Sequence, residues 1–266
     1  LAYLPDSMKG MDKYLEIALK AARAGAEIVK GHFGKSNESN VKDNEKGLVT
    51  EIDLSAEKAI IEVLSSESDY EILSEESGTI NQNKGPKWVI DPLDGTNNFA
   101  RSLPFFAVSV GLMNENQSLV GVIVDPVNNK EYYAAKGLGA YCNNKKIVLP
   151  EFDTEYIPSV FLNHGYDKID RNKFKEISSR LALDYNILKL GTTALELCYI
   201  ANGNVDAFIC SGDELWDFAA GICIAQEAGC VFTDWNGKPW DGVGNHLLIS
   251  RSEIHSKLVE LIKELQ

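Results

Sequence analysis

The sequence predicts a mixed α/β fold, and three observations carry that expectation. Residues 105–135 divide into FFAVSVGLM, SLVGVIVDP and KEYYAA, separated by polar turns in the manner of antiparallel strands. Beyond residue 159, short apolar runs alternate with segments of helical spacing, an α/β pattern. No Pro, Gly or Ser linker parts the two halves. The chain therefore reads as an N-terminal α+β sub-domain (1–150) packed against a C-terminal α/β sub-domain (151–266), with a crevice between them.

Each element has a local reason. Residues 11–33 set Leu15, Leu19, Ala22, Ala26 and Val29 along one helical stripe. The polar stretch KSNESNVKDNEKG (35–47) reads as a loop. Thr50-Glu51-Ile52-Asp53 resembles a capping box and opens a helix over 53–67, whose Ile60, Ile61 and Leu64 face the core. The apolar Glu71-Ile72-Leu73 patch leads through SEESG (74–78) to a buried strand, Trp88-Val89-Ile90, that stops at Asp91. In the second half VFLN (160–163), VDAFIC (205–210), CVFTD and HLLIS read as strands. Residues 193–202, 216–229 and SEIHSKLVELIKEL read as helices.

Composition narrows the function classes. With 44% hydrophobic and 24% charged residues, the 266-residue chain is an ordinary globular sequence. A net charge of −13 argues against a nucleic-acid backbone as partner, because that binding relies on Lys and Arg. No apolar run reaches the roughly 20 residues of a membrane span, and the first residues lack the pattern of a secretion leader. Five scattered cysteines with no CxxC pair suggest buried thiols in a reducing cytoplasm. The four histidines, His32, His164, His246 and His255, have no zinc-binding spacing and read as surface or packing residues. Walker A, dinucleotide and nucleophile-elbow patterns are absent as well.

The stretch WVIDPLDGTNNF (88–99) carries the chemistry. A buried strand ends in two carboxylates, Asp91 and Asp94, which would repel each other unless a cation lay between them. Pro92 stiffens the turn, and Gly95 permits a close backbone approach. Thr96 adds a hydroxyl where a helix begins, so backbone N–H groups there can cradle phosphate. Hard divalent ions take such oxygen ligands. The sequence contains its own control. Val124-Asp125-Pro126 also ends an apolar strand in Asp-Pro, but with no second carboxylate and no Gly-Thr, and it reads as an ordinary turn.

WVIDPLDGTNNF, LSEES and LWDFAAG together resemble the inositol monophosphatase family of Mg²⁺-dependent, lithium-sensitive phosphatases. GLVTEID, KGLGAYCN and GTTALELCYIANGNVDAF extend the resemblance over nearly the whole chain. It implies an αβαβα sandwich of the inositol monophosphatase and fructose-1,6-bisphosphatase type, a homodimer, and roughly two to three Mg²⁺ ions at the site. Glu75, Asp91 and the Leu93 carbonyl would bind a first ion; Asp91, Asp94 and Asp217 would bind a second. Glu75 would help hold a third through waters. Gly95 and Thr96 would receive the phosphate on backbone N–H groups, beside the substrate-side carboxylates Asp94 and Asp217. Asp53 and Thr96 would position and deprotonate the attacking water, and Li⁺ would inhibit.

The resemblance implies a small phosphorylated metabolite as substrate, with inositol monophosphate the first expectation. One departure bears on it. Where inositol-specific members carry a ring-binding glutamate, this chain has Cys210, a poor hydrogen-bond partner, leaving Asp213 or Glu214 as possible substitutes. Related families on the same scaffold act on fructose 1,6-bisphosphate, histidinol phosphate or 3′-phosphoadenosine 5′-phosphate, and a non-catalytic binding partner is a further alternative.

Overall fold

A computed structural model describes residues 11–34, 40–41, 48–49, 51–242 and 244–265. Helix α1 (Met11–His32) is followed by a short antiparallel pair, β1 (Asn40–Val41) and β2 (Leu48–Val49), and then by α2 (Glu51–Glu67). An eight-stranded sheet is built from β3 (Glu71–Ser74), β4 (Gly78–Ile80), β5 (Lys87–Asp94), β6 (Ala107–Asn114), β7 (Gln117–Asp125), β8 (Lys130–Ala135), β9 (Gly139–Cys142) and β10 (Lys145–Lys146). The short α3 (Thr96–Ala100) sits between β5 and β6. Pairing is antiparallel throughout this sheet except between β3 and β5, which run parallel.

The second sheet has five strands in the order β12-β11-β13-β15-β14. They are β11 (Ser159–His164), β12 (Asn186–Leu188), β13 (Ala207–Ser211), β14 (Val231–Asp234) and β15 (His246–Ser250). Between them run α4 (Lys168–Leu181), α5 (Thr193–Ala201) and α6 (Leu215–Ala228), and α7 (Ser252–Ile262) closes the described fold.

Side-chain patterning stacks these pieces into five layers. On α1 and α2, Ile17, Ala21, Val29, Ile60 and Leu64 cover the face of the first sheet that presents Trp88, Ile90, Val108 and Val122. Val89, between Trp88 and Ile90, points the other way, as strand geometry requires. It joins Ile123 and Tyr132 against α5 and α6, whose far sides meet Phe161, Phe208 and Ile249 of the second sheet. These two helices are apolar on nearly all sides because both faces are covered. On the outside, α4 and α7 bury Ile177, Leu181, Ile254 and Leu258 against Val160, Ile209 and Leu248. The result is the expected αβαβα sandwich, with each buried aliphatic or aromatic side chain worth roughly 1.5–3 kcal/mol.

Helix α6 lies directly on the first sheet. A Cβ at Gly121 would overlap the Ala220 carbonyl, so only glycine in β7 allows that approach. This contact sets how near the start of α6 comes to the end of β5.

Several boundaries differ from expectation. Helix α2 begins at Glu51, and β13 begins at Ala207 rather than Val205, because Asp206 turns to accept the Ser159 N–H at 2.9 Å. The expected loop contains β1; its other residues, and the expected cap Thr50, lie outside the described residues. The hairpin strand β4, helix α4 and strand β12 were not expected. Only Ile177 and Leu181 of α4 are buried, too few for a clear stripe, and β12 is three residues long. Asp125 is the turn residue anticipated: Asn128 donates to it from both backbone N (2.9 Å) and Nδ2 (2.8 Å). All five thiols are free, four of them buried. His255 packs internally, bonded to Ser250 and Thr233, whereas His32 is exposed. Among the described residues no helix is long and apolar enough to cross a membrane.

Candidate active site

The end of β5 is where the sheet geometry breaks. Pro92 has no N–H for the ladder, and the β5–β6 register shifts between Asp91 and Asp94. The bulge leaves both aspartates buried, at 1% and 8% exposure. Gly95 follows with φ +92°, and a Cβ there would come within 2.8 Å of the Phe105 carbonyl. Glycine alone fits, and its turn starts α3 at Thr96.

Two other elements converge on this bulge. Because β3 runs parallel beside β5, with Ser74 opposite Ile90, the turn after β3 sets Glu75 next to Asp91. From the middle layer, α6 brings Asp217 in its first turn, where the side chain accepts the Glu214 N–H at 2.7 Å. One oxygen each from Asp91, Asp94 and Asp217 can be chosen so that all lie within 4.8 Å of one another.

The electrostatics are those of a site built for a cation. Burial pushes the Asp91 carboxyl well above its ordinary range, and the charges of Glu75, Asp94 and Asp217 push it further. Asp94 is driven up to about 7, chiefly by burial, against hydrogen bonds from Thr192 and Ala194 that favour its charged form. Glu75 opens to solvent, yet the crowded cleft and the charges of Glu76, Asp53 and Asp94 raise it to about 7. Asp217 is raised as well, first by burial and then by Asp213 and Asp94. Carboxylates only, hard and mutually repelling, are the donor set of an oxygen-seeking divalent ion.

The remaining expected residues surround this cluster. The Leu93 N–H donates to Asp91 Oδ1 at 2.9 Å, and the Leu93 carbonyl accepts from Thr96 Oγ1 at 2.9 Å. Asp53, on α2 and 3% exposed, is near enough for its charge to act on Glu75. Cys210 is fully buried, and its Sγ donates to the Asn245 carbonyl at 3.7 Å, so it does not line the cleft.

Sequence reasoning missed the residues that hold the others. Glu57, one helical turn after Asp53, accepts from Ser74 Oγ, from Ser77 N (2.9 Å) and from Ser77 Oγ (2.6 Å), pinning the turn that carries Glu75. Its spacing of four from Asp53 was the available signal. Thr192 Oγ1 and Ala194 N donate to Asp94 Oδ2 at 2.6 and 2.7 Å, tying the second half of the chain to a carboxylate of the first. Asn98 Nδ2 reinforces that tie by donating to the Leu190 carbonyl at 2.8 Å.

A five-layer αβαβα sandwich with an oxygen-donor cluster at the broken end of a central strand is the architecture of a metal-dependent phosphatase. Known proteins agree. The sequence profile of the inositol monophosphatase family matches residues 10–266. A fructose-1,6-bisphosphatase/inositol-1-monophosphatase of Aquifex aeolicus is 34% identical, covering 97% of this chain and 98% of its own. The Nus factor SuhB of Pasteurella multocida is 33% identical over 95% of this chain and 97% of its own. The structure of an inositol monophosphatase from Anabaena superposes with a TM-score of 0.85 at 29% identity, covering 97% of this chain and 98% of that one. The chain belongs to the inositol monophosphatase family and is a phosphatase.

Proposed function

We propose that the chain is a Mg²⁺-dependent phosphomonoesterase whose first substrate is inositol monophosphate, cleaved by water to inositol and phosphate. The observation that carries this reading is the convergence of Asp91, Asp94 and Asp217 within 4.8 Å, with Glu75 beside Asp91. Glu75, Asp91, Asp94, Asp217 and the Leu93 carbonyl would hold the metal, whose charge supplies stabilisation for phosphate oxygens and makes nearby water more acidic. The chain's own groups do the rest. Gly95 and Thr96, at the start of α3, present backbone N–H groups to the phosphate. The Thr96 hydroxyl, oriented by its bond to the Leu93 carbonyl, keeps lone pairs for a water, and Asp53 takes that water's proton. In this reading water is the nucleophile, because Thr96 and Asp53 serve to orient it and take its proton while the cluster carboxylates are committed to the metal. Trapping a phosphorylated residue during turnover would refute that step.

Fructose 1,6-bisphosphate is the second substrate to consider, since the Aquifex relative bears both names. Histidinol phosphate and 3′-phosphoadenosine 5′-phosphate complete a release panel, run with Mg²⁺ and with added Li⁺, which should inhibit. The SuhB-named relatives raise a second reading, a role as a binding partner in a larger assembly. The full set of carboxylates favours catalysis, and absence of release across the panel would favour the alternative. We also propose a homodimer in a cytoplasmic setting; a monomer mass by light scattering would refute the dimer.

A further inference from the structure

A separate cavity lies at the edge of the second sheet that faces away from the metal cluster. Strands β11 and β13 run parallel and β15 returns antiparallel, so Ser159, Asp206 and Arg251 meet at one end. The five residues of β13 cover roughly 15 Å, and the chain turns toward Asp217 only at the far end. Backbone groups tie the near end together. The Ser159 N–H donates to Asp206 Oδ2 at 2.9 Å, and the Arg251 N–H donates to the Asp206 carbonyl at 3.0 Å. Residues of the 150–158 segment wall a cavity of about 340 Å³ there, near the lower limit of small-molecule sites.

Arg251 lines this cavity, and its surroundings do not balance it. The residue is only 3% exposed. Of its three guanidinium nitrogens only Nη2 has a protein acceptor, the Pro150 carbonyl, and Nε is buried without one. Its ion-pair partner, Glu253 Oε1, is 4.0 Å from Nη2 on a side chain 44% exposed, where water screens the charge. The Phe152 ring, its centre 5.4 Å from the guanidinium carbon, steadies the planar group without neutralising it. A buried cation with so little counter-charge is costly, and an anion in the adjoining cavity would offset that cost. The other walls restrict which anion fits. Glu151 and Asp153 stand exposed at the mouth, and Asp206 has a second oxygen beyond the one bonded to Ser159. Three carboxylates repel a doubly charged phosphate but accept from hydroxyl or amino groups set beside a single negative charge. Asn204, also on the wall, accepts from Asn202 Nδ2 through Oδ1 at 2.9 Å, which leaves its own amide free to donate.

We propose that this cavity is a second binding site, for a small organic monocarboxylate that also carries hydroxyl or amino donors. The ligand's carboxylate pairs with the Arg251 guanidinium, whose planar fork matches two carboxylate oxygens better than a lysine would. Its donors face Asp206 and the carboxylates of the mouth. The site shares no residue with the metal cluster and stands independently of the phosphatase reading.

The test is an NMR titration of the full chain with D-glycerate, a hydroxy acid, with L-serine, an amino acid, and with glycerol, which lacks the carboxylate. At least one of the two acids should bind saturably with a Kd on the order of 1 mM, and glycerol should not. Arg251→Gln should weaken that binding about tenfold or more, and Arg251→Lys should weaken it less. Asn204→Asp adds a negative charge to an exposed part of the wall and should cost about tenfold while leaving the fold intact. Asp91→Asn, which disables the metal cluster, should bind as the wild type does. Saturable binding of neither acid up to about 50 mM would overturn the proposal, as would equal binding of glycerol. So would wild-type affinity in Arg251→Gln or, where that variant does not fold, in Asn204→Asp. Binding that vanished in Asp91→Asn would overturn it too, since the acid would then be held by metal in the catalytic cleft.

Discussion

Two strands of the first sheet carry the same dipeptide, Asp91-Pro92 in β5 and Asp125-Pro126 at the end of β7, and both aspartates are 1% exposed. Asp125 is satisfied locally: Asn128, three residues on, donates to both of its oxygens. It borders a surface groove of about 320 Å³ in which Arg23 is already paired with Glu131 at 2.7 Å. Asp91 receives one local hydrogen bond, from Leu93, and otherwise faces the charges of Glu75, Asp94 and Asp217. A buried carboxylate is thus a structural part where its own turn supplies the donors. It becomes a candidate metal ligand where distant elements supply only more carboxylates.

The sharpest way to break this contrast is to neutralise each aspartate in turn. Asp91→Asn removes the charge between the candidate ions and should cost about 10³-fold or more in phosphate release. The fold should persist, because the metal-free carboxylates repel one another, and a melt without metal should show a Tm no lower than wild type. If Asp125→Asn abolished release while Asp91→Asn kept it, the site would be misplaced.

Metal and pH sharpen the contrast further. Glu75 and Asp94 are raised to about 7 in the metal-free fold, against roughly 4 when unfolded. The native state therefore binds more protons between those values. The stability these groups contribute is full below about pH 4 and is lost as pH rises through about 7. The metal-free protein should accordingly melt at a higher temperature near pH 6 than near pH 8. Adding Mg²⁺ reverses the local cost, since an ion binding only the folded state stabilises it by about 2.7 kcal/mol at a hundred times its Kd. Scanning calorimetry should show the Mg²⁺-induced gain growing from about pH 6 to about pH 8. A gain that shrank over that range would contradict the carboxylate assignment.

Glu57→Gln tests the support beneath the cluster. It removes the charge that Ser74 and Ser77 bond to, loosening the turn of Glu75, and should weaken Mg²⁺ affinity about 10- to 100-fold. Titration calorimetry reads that change directly, and wild-type affinity would show that the turn holds without it. The smallest effect belongs to the other Asp-Pro site. Asp125→Asn should lose about 1 kcal/mol in urea unfolding, from the weakened Asn128 bonds, with phosphate release within about threefold of wild type.

The sequence by itself determined the elements whose patterns are local. Stripe spacing marked α1 and α2, polar turns between apolar segments marked β6 to β8, a continuous apolar run marked β5, and Asp91-Pro92-Leu93-Asp94-Gly95-Thr96 marked a strand end with chemistry in it. Through the resemblance it also nominated Asp53, Glu75 and Asp217, which the fold places around that strand end. It did not separate a helix as polar as α4 from a loop, because a helix that buries two side chains leaves little periodic signal. Nor could it show that Cys210 lies behind the cleft wall, or that Thr192, Thr193, Asn163 and Glu196 join into one support. Those facts depend on approach between residues far apart in the chain. Gly121 beneath Ala220 lets α6 settle on the sheet, and that packing decides how close Asp217 comes to Asp91. A repulsive cluster of buried carboxylates has no local cause; the burial of apolar surface elsewhere in the five layers holds it together.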